Sequence, residues 1–171
     1  MATYLILGGY GATGKLLAKH LLAETQDKII VAGRHLDKAQ VLVDNFKSGR
    51  VTAVRVDAAD AESLRAALQG VDLLLVAAPT THHIETVVRA ALDARVDYLD
   101  VQFSSQKIAV LNKYADEIRS KNLCFVTEAG YHPGLPSAMV RYAAAQMDSI
   151  ESALTAGYLS VGNLPYTEAV D

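Results

Sequence analysis

Four glycines fall within seven consecutive positions near the start of the chain, in the stretch LGGYGATGK. Gly9, Gly11 and Gly14 match the spacing G-x-G-x-x-G, and Gly8 with the last two also matches G-x-x-G-x-x-G. In a strand–turn–helix unit, the first glycine permits a tight turn and the second lets a pyrophosphate approach the backbone. The third glycine lets the helix lie close to the strand. The chemistry that this spacing predicts is binding of a nucleotide diphosphate.

The residues on either side of the glycines predict the elements that such a site needs. The apolar stretch Thr3–Leu7 predicts a buried strand, and Lys15–Glu24 predicts an amphipathic helix with Leu17 and Leu21 one turn apart on the same face. This order places free N–H groups and the positive end of a helix dipole at the turn. The turn is therefore suited to an anion.

The residue that follows the second predicted strand bears on the choice of dinucleotide. In NAD-type sites an acidic residue about 20 positions beyond the glycine turn binds the ribose hydroxyls. Here that position holds Arg34, and His35 and Lys38 follow it closely. A guanidinium binds a 2′-phosphate in bidentate fashion, and no carboxylate is present to repel it. The sequence therefore favours NADP over NAD as the cofactor, although an ordinary surface arginine in a loop is the alternative interpretation.

Two further segments are expected at the same edge of the sheet. Asp57, after the third strand, either accepts a hydrogen bond from the adenine amine or only begins a loop. The small residues of AAPTT (Ala77–Thr81) end the fourth strand where ligands bind in open α/β sheets, and they leave room for the nicotinamide half of the cofactor. A turn with Thr81 capping the next helix is the other interpretation, and both can hold together. The predicted cofactor-binding residues are Gly8, Gly9, Tyr10, Gly11, Ala12, Thr13, Gly14, Arg34, His35, Asp57, Ala77, Ala78 and Pro79. No metal site is predicted.

Strand and helix patterns alternate along the chain after this first unit. The predicted strands are Lys28–Gly33, Arg50–Val56, Val71–Ala78, Val96–Gln102 and Asn122–Glu128, and the predicted helices are Leu36–Phe46, Asp60–Leu68, Ile84–Ala94 and Ile108–Ser120. Such alternation predicts parallel β-α-β units with right-handed crossovers. The fold class is therefore α/β with a doubly wound parallel sheet, the Rossmann fold.

The last part of the chain has a different pattern. A turn and a helix, entered at Pro136 or capped by Ser137, are expected within 130–147, and Glu151–Gly162 alternates as a strand does. The final residues close with no further element. We therefore expect a dinucleotide-binding domain over residues 1–147 and, over 148–171, the truncated start of a second α/β domain for substrate or dimerisation.

Composition limits the classes of function. The chain has 171 residues and a net charge of −3, which argues against nucleic acid as a partner. The sequence shows no signal region and no apolar run long enough to span a bilayer, which predicts a cytoplasmic protein without a membrane partner. Cys124, the single cysteine, excludes an internal disulfide, and its apolar neighbours predict a buried, inert thiol.

The sequence resembles the saccharopine dehydrogenase-like oxidoreductases. The resemblance rests on the glycine turn and AGR (Ala32–Arg34), on DYLDVQ (Asp97–Gln102) with its Tyr-x-Asp, and on AGYHPGLPSAMVRYAA (Ala129–Ala145) with its Gly-aromatic-x-Pro-Gly. It implies an N-terminal NAD(P) domain, a following substrate domain and hydride transfer on amino-acid-derived imines. The chain departs from the family pattern at His132, a position where aspartate is common. It also implies a small-molecule substrate, a possible homodimer through the missing C-terminal part, and little activity from this chain alone.

The loops after the last three strands are expected to meet in one crevice. They carry His82, His83, Tyr98, Asp100, Glu128, Tyr131 and His132. Tyr131 or His132 is the candidate proton donor for reduction of an imine or ketone. Two alternatives remain. A non-catalytic NADP sensor of the NmrA kind shares G-A-T-G but usually has no Pro-Gly turn, and a short-chain reductase needs Tyr-x-x-x-Lys, which does not occur here.

Overall fold

A six-stranded parallel sheet forms the centre of the structure, a computed structural model that describes residues 1–131 and 134–156. The strands are β1 (Thr3–Leu7), β2 (Lys28–Gly33), β3 (Val51–Arg55), β4 (Leu73–Val76), β5 (Asp97–Asp100) and β6 (Phe125–Val126). They lie in the order β3-β2-β1-β4-β5-β6, and every neighbouring pair is parallel. Strands β2 and β3 are added on one side of β1, and β4, β5 and β6 are added on the other side. The strand order therefore reverses between β1 and β4, as it does in a doubly wound sheet. The predicted Rossmann fold is confirmed.

Helices cover both faces of this sheet. They are α1 (Ala12–Glu24), α2 (Leu36–Phe46), α3 (Ala61–Ala67), α4 (Ile84–Ala94), α5 (Ser105–Lys113), α6 (Ala115–Ser120) and α7 (Leu135–Ala144), with a 3-10 turn at Thr81–His83 before α4. On one face, Ala18 of α1 and Ala39 of α2 belong to the same apolar core as Ile6 of β1. On the other face, Leu64 of α3 and Val87 of α4 share a second apolar core. Because side chains alternate along a strand, β1 contributes to both cores.

Several boundaries differ from the sequence prediction. Helix α1 begins at Ala12, three residues before the predicted start, so the glycine turn runs directly into the helix. Strand β6 keeps only two of its predicted residues, and the chain around it has left-handed backbone at Asn122 (φ 56°) and Glu128 (φ 61°). The predicted helix Ile108–Ser120 is divided at Tyr114 into α5 and α6. Left-handed backbone is incompatible with a strand, so it excludes both ends of the predicted strand, Asn122 and Glu128, from β6.

The predicted burial of Cys124 is wrong. Its side chain is exposed, because Leu123 and Phe125 turn towards the core under α5 and alternation directs Cys124 to the opposite face at the edge of the sheet. No helix within the described residues buries that position.

The end of the described chain carries little regular structure. Helix α7 begins at Leu135 with Pro136 in its first turn, so the alternative of a Ser137 cap is wrong. Residues 151–156 form no strand, and the remainder of the predicted strand Glu151–Gly162 lies outside the described residues. Among the described helices, none combines the length and the apolar character needed to cross a membrane.

Asp60 caps the first turn of α3. Its Oδ1 accepts hydrogen bonds from the backbone N–H groups of Glu62 (2.9 Å) and Ser63 (3.2 Å), as the sequence predicts. We expect Asp60→Ala to lower the free energy of unfolding by about 1 kcal/mol, since two N–H groups lose their acceptor. Urea unfolding followed by circular dichroism measures this loss. Asp60→Ser restores a capping oxygen, so a serine variant as unstable as the alanine variant would contradict the assignment.

Candidate functional site

A cleft of about 290 Å³ lies at the carboxyl ends of β1–β4. It is lined by Leu7, Gly8, Tyr10, Gly11, Gly33, Arg34, Val56, Asp57, Ala58, Ala77, Ala78, Pro79, Thr80 and His83. These residues come from the ends of four strands that are far apart in sequence. The cleft spans the boundary between β1 and β4, where the strand order reverses. Open α/β sheets bind ligands at this position.

The glycine turn is held in place by close backbone contacts. The N–H groups of Gly8 and Gly9 both donate to the Ala32 carbonyl, at 2.8 and 3.1 Å, and so tie the turn to the end of β2. Gly8 has φ 81°, which a residue with a side chain rarely adopts. A Cβ on Gly14 would lie 2.4 Å from the Gly8 carbonyl oxygen. Gly14 is therefore a packing glycine beneath the turn, and it does not line the cleft.

Gly11 has a different environment. A Cβ there would meet one protein atom within 4 Å, the Gly8 carbonyl oxygen at 3.1 Å, and the residue lines the cleft. The N–H groups of Ala12 and Thr13, at the start of α1, donate no hydrogen bond within the described part of the chain. The first turn of α1 also contains no acidic side chain. Free N–H groups, the helix dipole and the bare Gly11 together suit a phosphate group.

Tyr10 connects the glycine turn to the end of β2. Its ring packs on Gly33, where a Cβ would lie 2.5 Å from the ring. Its hydroxyl accepts a hydrogen bond from the His35 N–H at 3.3 Å, and the two rings are 6.4 Å apart. A side chain at position 33 would therefore displace the end of the Tyr10 ring. This contact fixes the backbone beside Arg34.

Arg34 and Asp57 line the same cleft from neighbouring strands. The Arg34 side chain is exposed and makes no hydrogen bond or ion pair within the described residues, so its five donors are available. Asp57 is fixed in the turn before α3, since its Oδ1 accepts the Ala59 N–H at 3.0 Å. The structure thus brings together the two side chains that sequence spacing singled out.

The loop after β4 closes the far side of the cleft. Ala77, Ala78 and Pro79 line it as expected, and Thr80 and His83 join them. The alternative in which Thr81 caps the next helix is wrong, because no side chain caps that turn. Thr80 was missed as a cleft residue by sequence reasoning, and nothing in its neighbours signals that its side chain is buried. Gly9, Ala12, Thr13, Gly14 and His35 lie outside the cleft lining.

The one candidate catalytic residue that the structure describes, Tyr131, lies outside this cleft. Tyr131 is 58% exposed and does not line it, and His132 lies outside the described residues. Among the described side chains that were expected to converge there, His83 is the one that lines the cleft. Glu128 follows β6 in left-handed backbone, and one of its carboxylate oxygens is buried without a hydrogen-bond partner in the described chain.

Tyr98 and Asp100, the Tyr-x-Asp of the sequence, belong to a buried polar network at the end of β5. The Tyr98 hydroxyl donates to Asp100 Oδ2 at 2.6 Å, and the Thr127 hydroxyl donates to the same oxygen at 3.0 Å. Oδ1 accepts the Gln102 N–H at 3.1 Å and faces Lys107 Nζ at 3.8 Å.

The side chains of Asp100 and Lys107 are both fully buried. Burial lowers the pKa of Lys107, and the charge of Asp100 opposes that shift. Burial also raises the pKa of Tyr98 far above its usual range, with the Asp100 charge adding to the effect. The network therefore links β5, α5 and the residue after β6 by interactions shielded from water, and it holds these parts of the fold together.

Comparison with known proteins identifies relatives of this chain. Residues 4–125 match the family described as saccharopine dehydrogenase NADP binding domain. The chain is 27% identical over 135 residues to saccharopine dehydrogenase [NADP(+), L-glutamate-forming] of Schizosaccharomyces pombe, covering 79% of this chain and 28% of that protein. It is 28% identical over 159 residues to carboxynorspermidine synthase of Vibrio cholerae, covering 80% of this chain and 38% of that protein.

Solved structures share the fold of this chain. Apo saccharopine dehydrogenase (L-Glu forming) of Saccharomyces cerevisiae superposes with a TM-score of 0.73 at 24% identity, over 85% of this chain and 31% of that one. Triphenylmethane reductase of Citrobacter sp., solved with NADP(H), has a TM-score of 0.58 at 26% identity, over 72% of this chain and 48% of that one. The chain thus spans about a third of the length of its curated relatives. It belongs to the saccharopine dehydrogenase NADP binding domain family, which confirms both the predicted resemblance and NADP as the cofactor.

Proposed function

We propose that this chain is the NADP-binding part of an oxidoreductase that transfers hydride between nicotinamide and an imine or amino-acid-type substrate. The observation that carries the proposal is the single cleft that joins Gly11 of the glycine turn, Arg34 and Asp57. The two curated relatives named above each match most of this chain, and the name of the first specifies NADP(+). Bound NADPH would supply the hydride, and this chain would hold and orient the nucleotide.

Each part of the nucleotide has a matching group in the cleft. The pyrophosphate would lie against Gly11 and accept hydrogen bonds from the N–H groups of Ala12 and Thr13. The Arg34 guanidinium would bind the 2′-phosphate, and Tyr10 would keep the neighbouring backbone in position. The free oxygen of Asp57 would accept a hydrogen bond from the adenine amine. This assignment places the adenosine half over β2 and β3 and directs the nicotinamide towards β4 and beyond.

The class of substrate is inferred from the relatives. The first relative is named as forming L-glutamate, which supports an amino-acid-type substrate for this chain. Tyr131 and His132, in the loop after β6, remain our candidates for the proton donor to the substrate nitrogen. Because Tyr131 does not line the nucleotide cleft, a substrate in contact with it would lie beyond the nicotinamide. We expect little imine turnover from this chain alone, since it spans about a third of its relatives.

Arg34 is expected to set the preference for NADPH over NADH. Hydrogen bonds to a charged group contribute about 1.5–3 kcal/mol, so Arg34→Ala should weaken NADPH binding about 10- to 100-fold. NADH lacks the 2′-phosphate, and its affinity should change little. Isothermal titration calorimetry with both cofactors on the wild type and the variant measures the two ratios.

Arg55 provides the matched control for this experiment. It is an exposed arginine at the end of β3 and does not line the cleft, so Arg55→Ala should leave both affinities unchanged. Equal affinities for NADPH and NADH in the wild type, or an equal loss in both arginine variants, would reject the assignment of Arg34.

A further inference from the structure

His83 places a titratable side chain at the opening of the nucleotide cleft. Its side chain is exposed, lines the cleft and does not cap α4, although the residue stands at the N-cap of that helix. Its backbone N–H donates to the Thr80 carbonyl at 2.8 Å, which fixes the turn that carries the imidazole. Among the described residues, the histidine that forms an ion pair is His20, with Glu24. The imidazole of His83 is therefore available to a ligand in the cleft.

The loop that carries His83 borders the glycine turn. A Cβ on Gly8 would lie 2.7 Å from the Ala78 Cβ, so the chain after β4 is in close contact with the turn. Gly8, Gly11 and His83 line one cleft of about 290 Å³. A dinucleotide whose diphosphate lies against Gly11 would therefore bring negative charge to the side of the cleft where the imidazole stands.

The charged groups around His83 leave room for this effect. The titratable side chains that line the cleft with it, or flank it along the chain, are Tyr10, Arg34, Asp57, His82 and Glu85. Arg34 and Asp57 carry opposite charges, and a tyrosine hydroxyl is uncharged at neutral pH. The Glu85 carboxylate accepts hydrogen bonds from Lys113 and from the Tyr114 hydroxyl. A bound diphosphate would therefore be the main new charge that the imidazole meets.

We propose that His83 binds the diphosphate as an imidazolium, so that NADPH binding takes up a proton and weakens as the pH rises from 6 to 8. The inference rests on the proposed NADP site and adds a regulation of that site by pH. Histidine is the side chain that ordinarily changes its charge between about pH 5 and 8. A nearby opposite charge favours its protonated form by about tenfold or more. With a tenfold preference, NADPH binds about 5-fold more tightly at pH 6 than at pH 8.

The test is calorimetry with NADPH at pH 6 and pH 8 on the full chain. The 2′-phosphate of NADPH titrates near pH 6, so the ratio of the two affinities is compared between variants that share this contribution. The ratio in the wild type should exceed that in His83→Gln by about 5-fold. His83→Lys, which is charged at both pH values, should lose the dependence and keep tight binding at pH 8. His82→Gln is the matched control, since His82 is exposed and does not line the cleft, and it should keep the ratio of the wild type.

Proton uptake provides a second readout. Titrations at pH 7 in two buffers of different ionisation enthalpy measure the protons taken up with NADPH. The wild type and His82→Gln should take up about half a proton more than His83→Gln. A group that only supports the fold would not change this number.

Three results would overturn the proposal. One is the same ratio of affinities and the same proton uptake in the wild type and His83→Gln, and another is an equal loss of both in His82→Gln. The third is a His83→Gln variant with a lower thermal midpoint and affinity reduced by the same factor at both pH values, which would show a structural role. In all three cases the wild type still binds NADPH, whereas a wild type that binds it at neither pH would remove the NADP site itself.

Discussion

Replacing Gly11 by alanine is expected to weaken NADPH binding at least 100-fold while the protein stays folded. The added methyl group would meet one protein atom at 3.1 Å, but it would stand in the cleft where the pyrophosphate approaches the backbone. Losing two hydrogen bonds to a charged group, each worth about 1.5 kcal/mol, corresponds to a factor of more than about 100. The cost to folding should be only about 1 kcal/mol, the penalty for alanine at a helix N-cap.

Gly14→Ala should give the opposite pattern. Its methyl group would lie 2.4 Å from the Gly8 carbonyl oxygen and 2.6 Å from the Gly9 Cα, both backbone atoms that cannot move aside cheaply. We expect a loss of about 3 kcal/mol or more in the free energy of unfolding, with binding lost as a consequence. Gly49→Ala is the control, because a Cβ there meets no atom within 4 Å.

Calorimetry for binding and urea unfolding for stability separate these two glycines. The account predicts a stable, non-binding Gly11→Ala and an unstable Gly14→Ala, beside a Gly49→Ala that resembles the wild type. A Gly11→Ala variant that binds NADPH as tightly as the wild type would contradict binding of the diphosphate at the glycine turn.

The second large effect concerns the buried network of β5. Asp100→Asn should lower the free energy of unfolding by about 3–5 kcal/mol, because the fully buried Lys107 would lose its charged partner. The asparagine also replaces one acceptor oxygen by a donor nitrogen, whereas the Tyr98 and Thr127 hydroxyls both donate to one carboxylate oxygen. Urea unfolding followed by circular dichroism measures the change.

Two further variants serve as comparisons for the stability of Asp100→Asn. Asp116→Asn alters a fully exposed carboxylate on α6 and should change stability by less than about 0.5 kcal/mol. Lys107→Met leaves Asp100 with three hydrogen-bond donors and should cost less than Asp100→Asn. If Asp100→Asn proves as stable as the wild type, Lys107 is not held there as a buried cation.

The sheet could be predicted because its signals are local and strong. Runs such as Thr3–Leu7 and Lys28–Gly33 are apolar on both faces, as buried parallel strands must be, and their observed bounds match the prediction. The glycine spacing and Arg34 could be located by counting, since both lie at strand ends whose positions those runs define. Asp60 could be identified as a cap because capping depends on neighbours two and three residues away.

The remaining features depend on contacts between distant residues. Cys124 has apolar neighbours, yet an edge strand without a covering helix leaves it exposed. Asp100 and Lys107 are charged and would be expected on the surface, but Asp100 accepts three hydrogen bonds inside, and Lys107 Nζ donates to Gln102 Oε1 beside it. The burial of Thr80 depends on how the turn before α4 packs over the cleft, and its own sequence neighbours do not encode that packing.

The most direct test of the account is an NMR titration of the ¹⁵N-labelled chain with NADPH. If the N–H groups at the start of α1 hold the diphosphate, the largest amide shifts should occur at Gly11, Ala12 and Thr13, with a further shift at Arg34 that NADH does not produce. Binding that leaves these amides unmoved while others shift, or no binding at all, would contradict the account.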